Sequence, residues 1–186
     1  MKQKWSATKI VLMAMLAALV CVVTLYRFPL LGSRVHLANA VCLLSGLLMG
    51  PVAGGLAAGL GSALYDALLG GYGVVECLVT FVSKFAMAWV CAKIAFAADE
   101  EAGKPVWNAV ASVVGALTYV ALYMCKTFVF QKFVYGYPME TVWLTMGSKL
   151  PASLINALAA MVAAPILYTA LRAALKRAGL LQKMRG

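Results

Sequence analysis

Ionisable and hydroxyl side chains recur at helical spacing inside segments that are otherwise apolar. The clearest set lies at offsets of 0, 4, 7 and 8 residues, on one face of a helix: Glu76, Thr80, Ser83 and Lys84. An ionised group at the centre of a membrane helix costs about 2.5–3.5 kcal/mol, so such groups usually face an interior cavity or a partner. Glu76 and Lys84 are about 12 Å apart along the axis, which is too far for a direct ion pair. Other segments of the chain, or a ligand, must therefore supply opposite charges or hydrogen bonds to Glu76 and Lys84.

Three further segments place polar groups near the same end of the predicted bundle. One set, at offsets of 0, 4 and 7 residues, consists of Lys149, Ser153 and Asn156. A second set lies at the end of a predicted helix and consists of Ser62, Tyr65 and Asp66. The third lies at the start of a predicted helix and consists of His36 and Asn39. The chemistry that these types share is hydrogen bonding and charge pairing with a small polar molecule.

Two interpretations fit this gathering of polar groups. In the first, Asp66 or Glu76 pairs with Lys84, Lys126 or Lys149, and the network only locks the bundle. In the second, the groups line a binding pocket that opens to the outside, with aromatic walls drawn from four candidates: Tyr65, Tyr72, Tyr137 and Trp143.

The composition indicates whether these polar side chains lie in water or in a membrane. The chain has 186 residues, is 64% hydrophobic and 12% charged, and has a mean hydropathy of +0.91. Soluble domains are about 45–50% apolar and about 25% charged. We therefore predict an all-α, multi-pass integral membrane protein that forms one domain over residues 1–186, with room for about six helices.

The apolar segments give the predicted spans: 10–26, 35–49, 51–69, 74–97, 106–125 and 150–171. The first segment could be the core of a signal peptide, but the following TLYRFPLLG contains no small-x-small cleavage pattern. Segment 126–149 is rich in aromatic residues, which suits the membrane interface.

Positive charge predicts the orientation. If six spans alternate, ten basic residues fall on the side of the two termini and four on the other. The positive-inside rule then places both termini in the cytoplasm. The net charge of +10 is thereby explained by topology, and it gives no reason to expect a nucleic-acid partner.

Motifs for metal binding, cofactor binding and catalysis are missing from the sequence. The five cysteines form no CxxC pair, and His36 is the sole histidine, so we expect no metal site and no cofactor. The fragment Gly147-Ser148-Lys149 lacks the rest of a phosphate-binding loop, and neither HExxH nor GxSxG occurs. We therefore expect neither ATP hydrolysis nor another enzymatic activity in this chain.

Small residues at four-residue spacing indicate close helix contacts. Gly55 and Gly59 form GxxxG in the third segment, and Ala14 and Ala18 are four apart in the first. Flat faces let helix backbones approach closely in lipid. The third segment is thus expected to be surrounded by protein, whereas Ala14 and Ala18 could serve internal packing or a partner subunit.

Three stretches together resemble the substrate-binding S component of energy-coupling factor (ECF) vitamin transporters: HLANAVCLLSGLLMGPVAGGLAAGLGSALYD, TFVSKFAMAWVCAKIA and KLPASLINALAAMVAAPILYTALRAALKRAGL. The resemblance covers nearly the whole chain. It implies a six-helix bundle in a prokaryotic plasma membrane, which binds a vitamin or precursor near the outer face under a lid between the first two helices. It also implies partners: a transmembrane coupling subunit driven by two cytoplasmic ATPases. After capture, the whole bundle would topple within the membrane.

The resemblance also assigns roles to residues. Ala14 and Ala18 match a pattern that contacts the coupling subunit, and family pockets point to Arg34, Glu76, Thr80, Lys84, Lys149 and Asn156. With the residues above, the candidate binding set becomes Arg34, His36, Asn39, Tyr65, Asp66, Tyr72, Glu76, Thr80, Lys84, Trp143, Lys149 and Asn156. Ala38 and Asn39 stand where many relatives have a glycine followed by an acidic or amide residue, which leaves the ligand class open.

Other classes of function remain open at this point. A stand-alone secondary transporter could use Glu76 or Asp66 as a proton carrier, and a membrane enzyme or a purely structural subunit is also conceivable. The lysines suit a carboxylate or phosphate, as in biotin, pantothenate or folate. The acids and aromatics suit thiamine, pyridoxine or riboflavin. Since both signs of charge are present, we expect a neutral or zwitterionic heterocycle.

Overall fold

Helices form nearly all of the part of the chain that the computed structural model describes, residues 5–30 and 33–185, with side chains described except at 30, 33 and 34. The order is α1 (Ala7–Leu25), β1 (Phe28–Leu30), β2 (Ser33–Val35), α2 (Ala38–Met49), α3 (Pro51–Tyr65), α4 (Val74–Ala98), α5 (Pro105–Val129), α6 (Met139–Arg177) and α7 (Leu180–Arg185). Two π-helical turns, Asp66–Gly70 and Phe130–Val134, extend α3 and α5.

Five of these helices are long and apolar enough to cross a membrane: α1, α3 with its π turn, α4, α5 with its π turn, and α6. The predicted second span is shorter than expected, because α2 has only 12 residues. At about 1.5 Å per residue it is about 18 Å long, whereas the hydrocarbon core is about 30 Å thick. Every residue of α2 is buried, so the other helices surround it.

The predicted sixth span, 150–171, is much longer in the structure. Helix α6 has 39 residues and passes through Pro151 and Pro165 without ending. Each proline removes one backbone donor, and neighbouring helices in a membrane bundle commonly compensate for that loss. Most of segment 126–149, expected as an interfacial connection, is consequently helical.

A short antiparallel hairpin, absent from the sequence prediction, connects α1 to α2. Its register pairs Phe28 with Val35 and Leu30 with Ser33. Beside the hairpin, the backbone N–H of His36 donates to Oδ1 of Asn156 on α6, at 2.7 Å. We call this end of the bundle the hairpin end. This connection is the one for which the family resemblance implies a lid.

Close backbone packing joins α2, α3 and α4. A Cβ atom added at Gly46 of α2 would lie 2.5 Å from the carbonyl oxygen of Ala88 on α4. Ser45 Oγ donates to the Gly54 carbonyl of α3, at 2.9 Å. The small residues of α3 are mostly buried, as their spacing predicted: Ala53, Gly54, Gly55, Ala57, Ala58, Gly59 and Gly61.

The opposite end of the bundle is closed by α7. The Arg185 guanidinium donates to the Glu101 carbonyl at 2.8 Å and to the Tyr168 hydroxyl at 2.9 Å. It also reaches the last carbonyls of α2, those of Leu47 and Leu48, at 3.4 Å each. These contacts satisfy backbone oxygens that a helix end leaves without intrahelical partners.

Candidate ligand-binding site

A cavity of about 710 Å³ lies at the hairpin end, within the usual size range of small-molecule sites. Its position follows from the length of α2. Helix α2 is about 18 Å long, whereas α3 and its π turn span 20 residues, about 30 Å. The shorter α2 therefore leaves space between its first residue and the hairpin end of the bundle. Pro29 of β1 and His36, which follows β2, line this space.

The cavity gathers nine of the twelve predicted binding residues, from α3, its π turn, α4, α6 and the connections that precede α2 and α4. These are His36, Tyr65, Asp66, Tyr72, Glu76, Thr80, Lys84, Lys149 and Asn156. Each helix contributes the face that its spacing indicated. On α4 the lining residues recur every three or four positions, and Ser83 belongs to the same face.

Lys84 is the most deeply buried charge of the cavity, with 4% of its surface exposed. Its ammonium group donates to Oδ1 of Asn39 on α2. It also lies 3.6 Å from the ring centroid of Tyr119 on α5, a cation–π contact. Asn39 is not among the lining residues, so its position suits a residue that orients Lys84 rather than one that contacts a ligand.

Three other residues from the sequence analysis are not among those that line the cavity. Trp143 is 60% exposed and packs against Phe128, with ring centroids 6.4 Å apart, so it does not form a cavity wall. Tyr137 likewise is not among the lining residues. Arg34 lies in β2 opposite Pro29, and its side chain lies outside the described part of the structure.

A whole wall of the cavity, formed by α5 and its π turn, was missed by the sequence analysis. It is mostly aromatic and hydroxylated and includes one base: Tyr119, Tyr123, Lys126, Thr127, Phe130 and Gln131. The first five lie at offsets of 0, 4, 7, 8 and 11 residues, a helical face that the spacing rule could have identified. Lys126 had been considered only as a partner for an acid.

The segment after α1 contributes a second missed group. Arg27 lines the cavity, and its guanidinium carbon lies 5.3 Å from the ring centroid of Tyr65. The sequence analysis had counted Arg27 only among the four basic residues on the side opposite the termini. No periodic pattern marks this residue, since it follows the end of α1.

Six formally charged residues line the cavity: Arg27, Asp66, Glu76, Lys84, Lys126 and Lys149. Within the described residues, ion pairs with an N–O distance up to 4.0 Å occur only at Glu101, far from the cavity, with Arg172 and Lys176. Neither Asp66 nor Glu76 therefore forms the direct ion pair with a lysine that the first interpretation requires. The charges instead surround a volume that can hold a polar molecule.

The described residues contain no group of three or more His, Cys, Asp or Glu side chains that could hold a metal ion. The arrangement can bind by charge, by hydrogen bonds and by aromatic contact.

Comparisons with known proteins give one consistent result. The family model described as "ECF-type riboflavin transporter, S component" matches residues 4–173. Among solved structures, the chain is similar to the S component of a bacterial ECF transporter, with a TM-score of 0.65 and 18% identity, covering 90% of this chain and 97% of that one. No curated protein matches.

Proposed function

Because the chain belongs to the family of ECF-type riboflavin transporter S components, we propose that it captures a water-soluble vitamin or vitamin precursor at the outer face of the membrane and delivers it through an ATP-driven coupling module. Membership makes it a substrate-binding subunit of an ECF transporter. The identity of the vitamin and the delivery step are the parts that we propose.

The observation that carries this proposal is the cavity at the hairpin end. It has the volume of a vitamin-sized site, and its lining combines tyrosines with charged groups that do not neutralise each other by direct contact. Placing such groups in the membrane is costly unless they serve a ligand or a partner. A capture subunit needs that arrangement.

The charge distribution supports an orientation with the cavity outside. The end opposite the hairpin carries most of the basic residues, including Lys93, Lys104 and five that follow Leu171: Arg172, Lys176, Arg177, Lys183 and Arg185. By the positive-inside rule this end faces the cytoplasm. We accordingly propose six alternating crossings of a prokaryotic plasma membrane, with both termini inside and α2 as a short crossing surrounded by protein.

The proposed partners are a transmembrane coupling subunit and two cytoplasmic ATPases. Helix α1 offers the docking face, since Ala14 and Ala18 are exposed while Ala17, with 6% of its surface exposed, faces the bundle. The chain carries no phosphate-binding loop, so the ATPases would supply the energy. We assign no enzymatic reaction to this subunit.

A binding screen tests capture directly. The purified protein is titrated with a panel of water-soluble vitamins and precursors, riboflavin among them, and binding is followed by thermal shift and native mass spectrometry. We expect saturable one-to-one binding of at least one compound. A purely structural subunit would bind none of them.

Reconstitution tests delivery. In proteoliposomes, uptake of the bound vitamin should require the coupling subunit, both ATPases and ATP. Uptake by this chain alone, abolished by an uncoupler and indifferent to ATP, would instead identify a proton-coupled secondary transporter that uses Asp66 or Glu76.

A further inference from the structure

We propose that a second pocket, at the end of the bundle opposite the hairpin, binds the phosphoglycerol headgroup of an anionic membrane lipid. The pocket has a volume of about 310 Å³ and lies between the start of α5 and the last turns of α6. It shares no lining residue with the cavity at the hairpin end. The inference therefore does not depend on which vitamin the protein captures.

The charged residues that line this pocket are both basic. Arg172 and Lys176 lie one helical turn apart on the same face of α6. They share one carboxylate oxygen, since Glu101 Oε2 lies 3.2 Å from Arg172 Nη2 and 3.6 Å from Lys176 Nζ. Glu101 does not line the pocket, and its side chain is 61% exposed, so water screens these ion pairs. The two cations can therefore bind a further anion.

The other carboxylate beside Arg172 is engaged by the backbone. Asp99 accepts hydrogen bonds from the N–H groups of Glu101 and Gly103, and it is not among the residues that line the pocket. Helix α5 begins next to it at Pro105, and the N-cap residue Lys104 gives no side-chain hydrogen bond. The start of a helix carries partial positive charge and commonly binds phosphate. This end of α5 therefore adds to the positive potential in the pocket.

Two buried atoms of the lining side chains have no hydrogen-bond partner within residues 5–30 and 33–185: Arg172 Nε and Asn108 Oδ1. Asn108 is only 2% exposed, and its Nδ2 donates to the Ala102 carbonyl at 2.8 Å, which orients the amide. Buried polar atoms in proteins are nearly always hydrogen-bonded. Arg172 Nε is a donor and Asn108 Oδ1 an acceptor. A phosphate ester with a free hydroxyl group satisfies both, because the phosphate accepts from Arg172 and the hydroxyl donates to Asn108.

The surroundings of the pocket favour a lipid over a soluble phosphate. Val106 and Trp107 of α5 and Leu171 of α6, all beside the lining residues in the chain, are exposed. Apolar side chains of a membrane protein face lipid tails, and tryptophan is enriched at the level of the headgroups. Acyl chains could pack on these side chains while the headgroup enters the pocket. Basic pockets between membrane helices bind lipid headgroups in this way.

Native mass spectrometry of the purified full chain tests this inference. The protein in detergent is titrated separately with phosphatidylglycerol, phosphatidylmethanol and phosphatidylcholine that carry identical acyl chains. Phosphatidylglycerol should bind about fivefold more tightly than either of the others, because phosphatidylmethanol lacks the hydroxyl groups and phosphatidylcholine also lacks the net negative charge. Equal affinity for phosphatidylglycerol and either other lipid would overturn the inference. Soluble glycerol 3-phosphate that binds as tightly as phosphatidylglycerol would overturn the assignment to a lipid.

Variants locate the headgroup. Arg172→Lys keeps the charge beside Glu101 but lacks Nε, and Lys176→Gln removes one charge, so each should weaken phosphatidylglycerol about fivefold. Arg177→Gln is the matched control, because Arg177 is an exposed neighbour on α6 that does not line the pocket. An equal loss in Arg177→Gln and Lys176→Gln would show that only net charge matters and would refute the site.

The same variants separate this inference from the proposed function. All three should bind the vitamin found in the screen with wild-type affinity, because the changes lie outside the cavity. Thermal melting in detergent checks that each variant is folded. Loss of vitamin affinity along with lipid affinity would show a general structural defect and overturn a separate lipid site. Vitamin binding without a preference for phosphatidylglycerol would refute this inference alone.

Discussion

Asn156 and Lys84 hold the cavity together through contacts that bridge distant parts of the chain. Asn156 Oδ1 accepts the His36 backbone N–H, and Lys84 donates to Asn39, 45 residues away. The helical spacing on α4 and α6 correctly indicated which side chains share a face. It could not indicate that Asn39, which does not line the cavity, accepts a hydrogen bond from Lys84, because that contact depends on how α2 and α4 pack.

Replacing either residue should weaken ligand binding. We expect Lys84→Ala and Asn156→Ala each to lower the affinity of the vitamin found in the screen at least tenfold, since each removes a cavity contact and leaves a buried polar partner unsatisfied. Titration of the purified variants measures this. Ser148→Ala is the control, as Ser148 is exposed and outside the cavity. Unchanged affinity in both variants would remove these residues from the site.

At the scale of the elements, hydropathy located the helices but did not give their lengths. Apolar composition does not distinguish a short buried helix such as α2 from a full crossing, since both lie out of water. It also placed the start of the sixth span at residue 150, whereas α6 begins at Met139 and continues through Pro151. The strands of the hairpin have three residues each, too few for an alternating pattern to be detected.

Glycine contacts between elements give a stability prediction. Gly46→Ala should destabilise the protein by about 1–3 kcal/mol, because its new Cβ would meet the backbone oxygen of Ala88. Gly147→Ala is the matched control on α6: nothing lies within 4 Å of its added Cβ, and the change should stabilise by about 0.4–1 kcal/mol. Thermal melting in detergent should move in opposite directions. A Gly46→Ala protein as stable as the wild type would show that α2 and α4 can separate freely.

At the scale of the whole molecule, binding and transport should be separable. The exposed Ala14 and Ala18 lie on α1, while α3, α4, α5 and α6 supply most of the cavity. The resemblance to S components, rather than spacing alone, is what predicts a docking face here instead of ordinary packing.

A bulky residue on that face tests the distinction. Ala18→Trp should abolish ATP-driven uptake in the reconstituted complex while the affinity of the isolated subunit stays within twofold, because the substituted side chain would hold α1 away from the coupling subunit. Ala121→Trp, an equally large change at an exposed alanine of α5, should leave uptake intact. Loss of ligand affinity in Ala18→Trp would instead indicate that the alanine face packs inside the bundle.

The contact of Gly46 with Ala88, and that of Ser45 with Gly54, also limits how the protein can move. Because these helices contact each other through their main chains, one cannot slide past another without separating from it. We therefore expect α2, α3 and α4 to move as one rigid unit. For a ligand to pass through the middle of this unit, the three helices would have to separate. We therefore expect the occupant of the cavity to leave through the mouth by which it entered, and to reach the far side only if the three helices reorient together in the membrane.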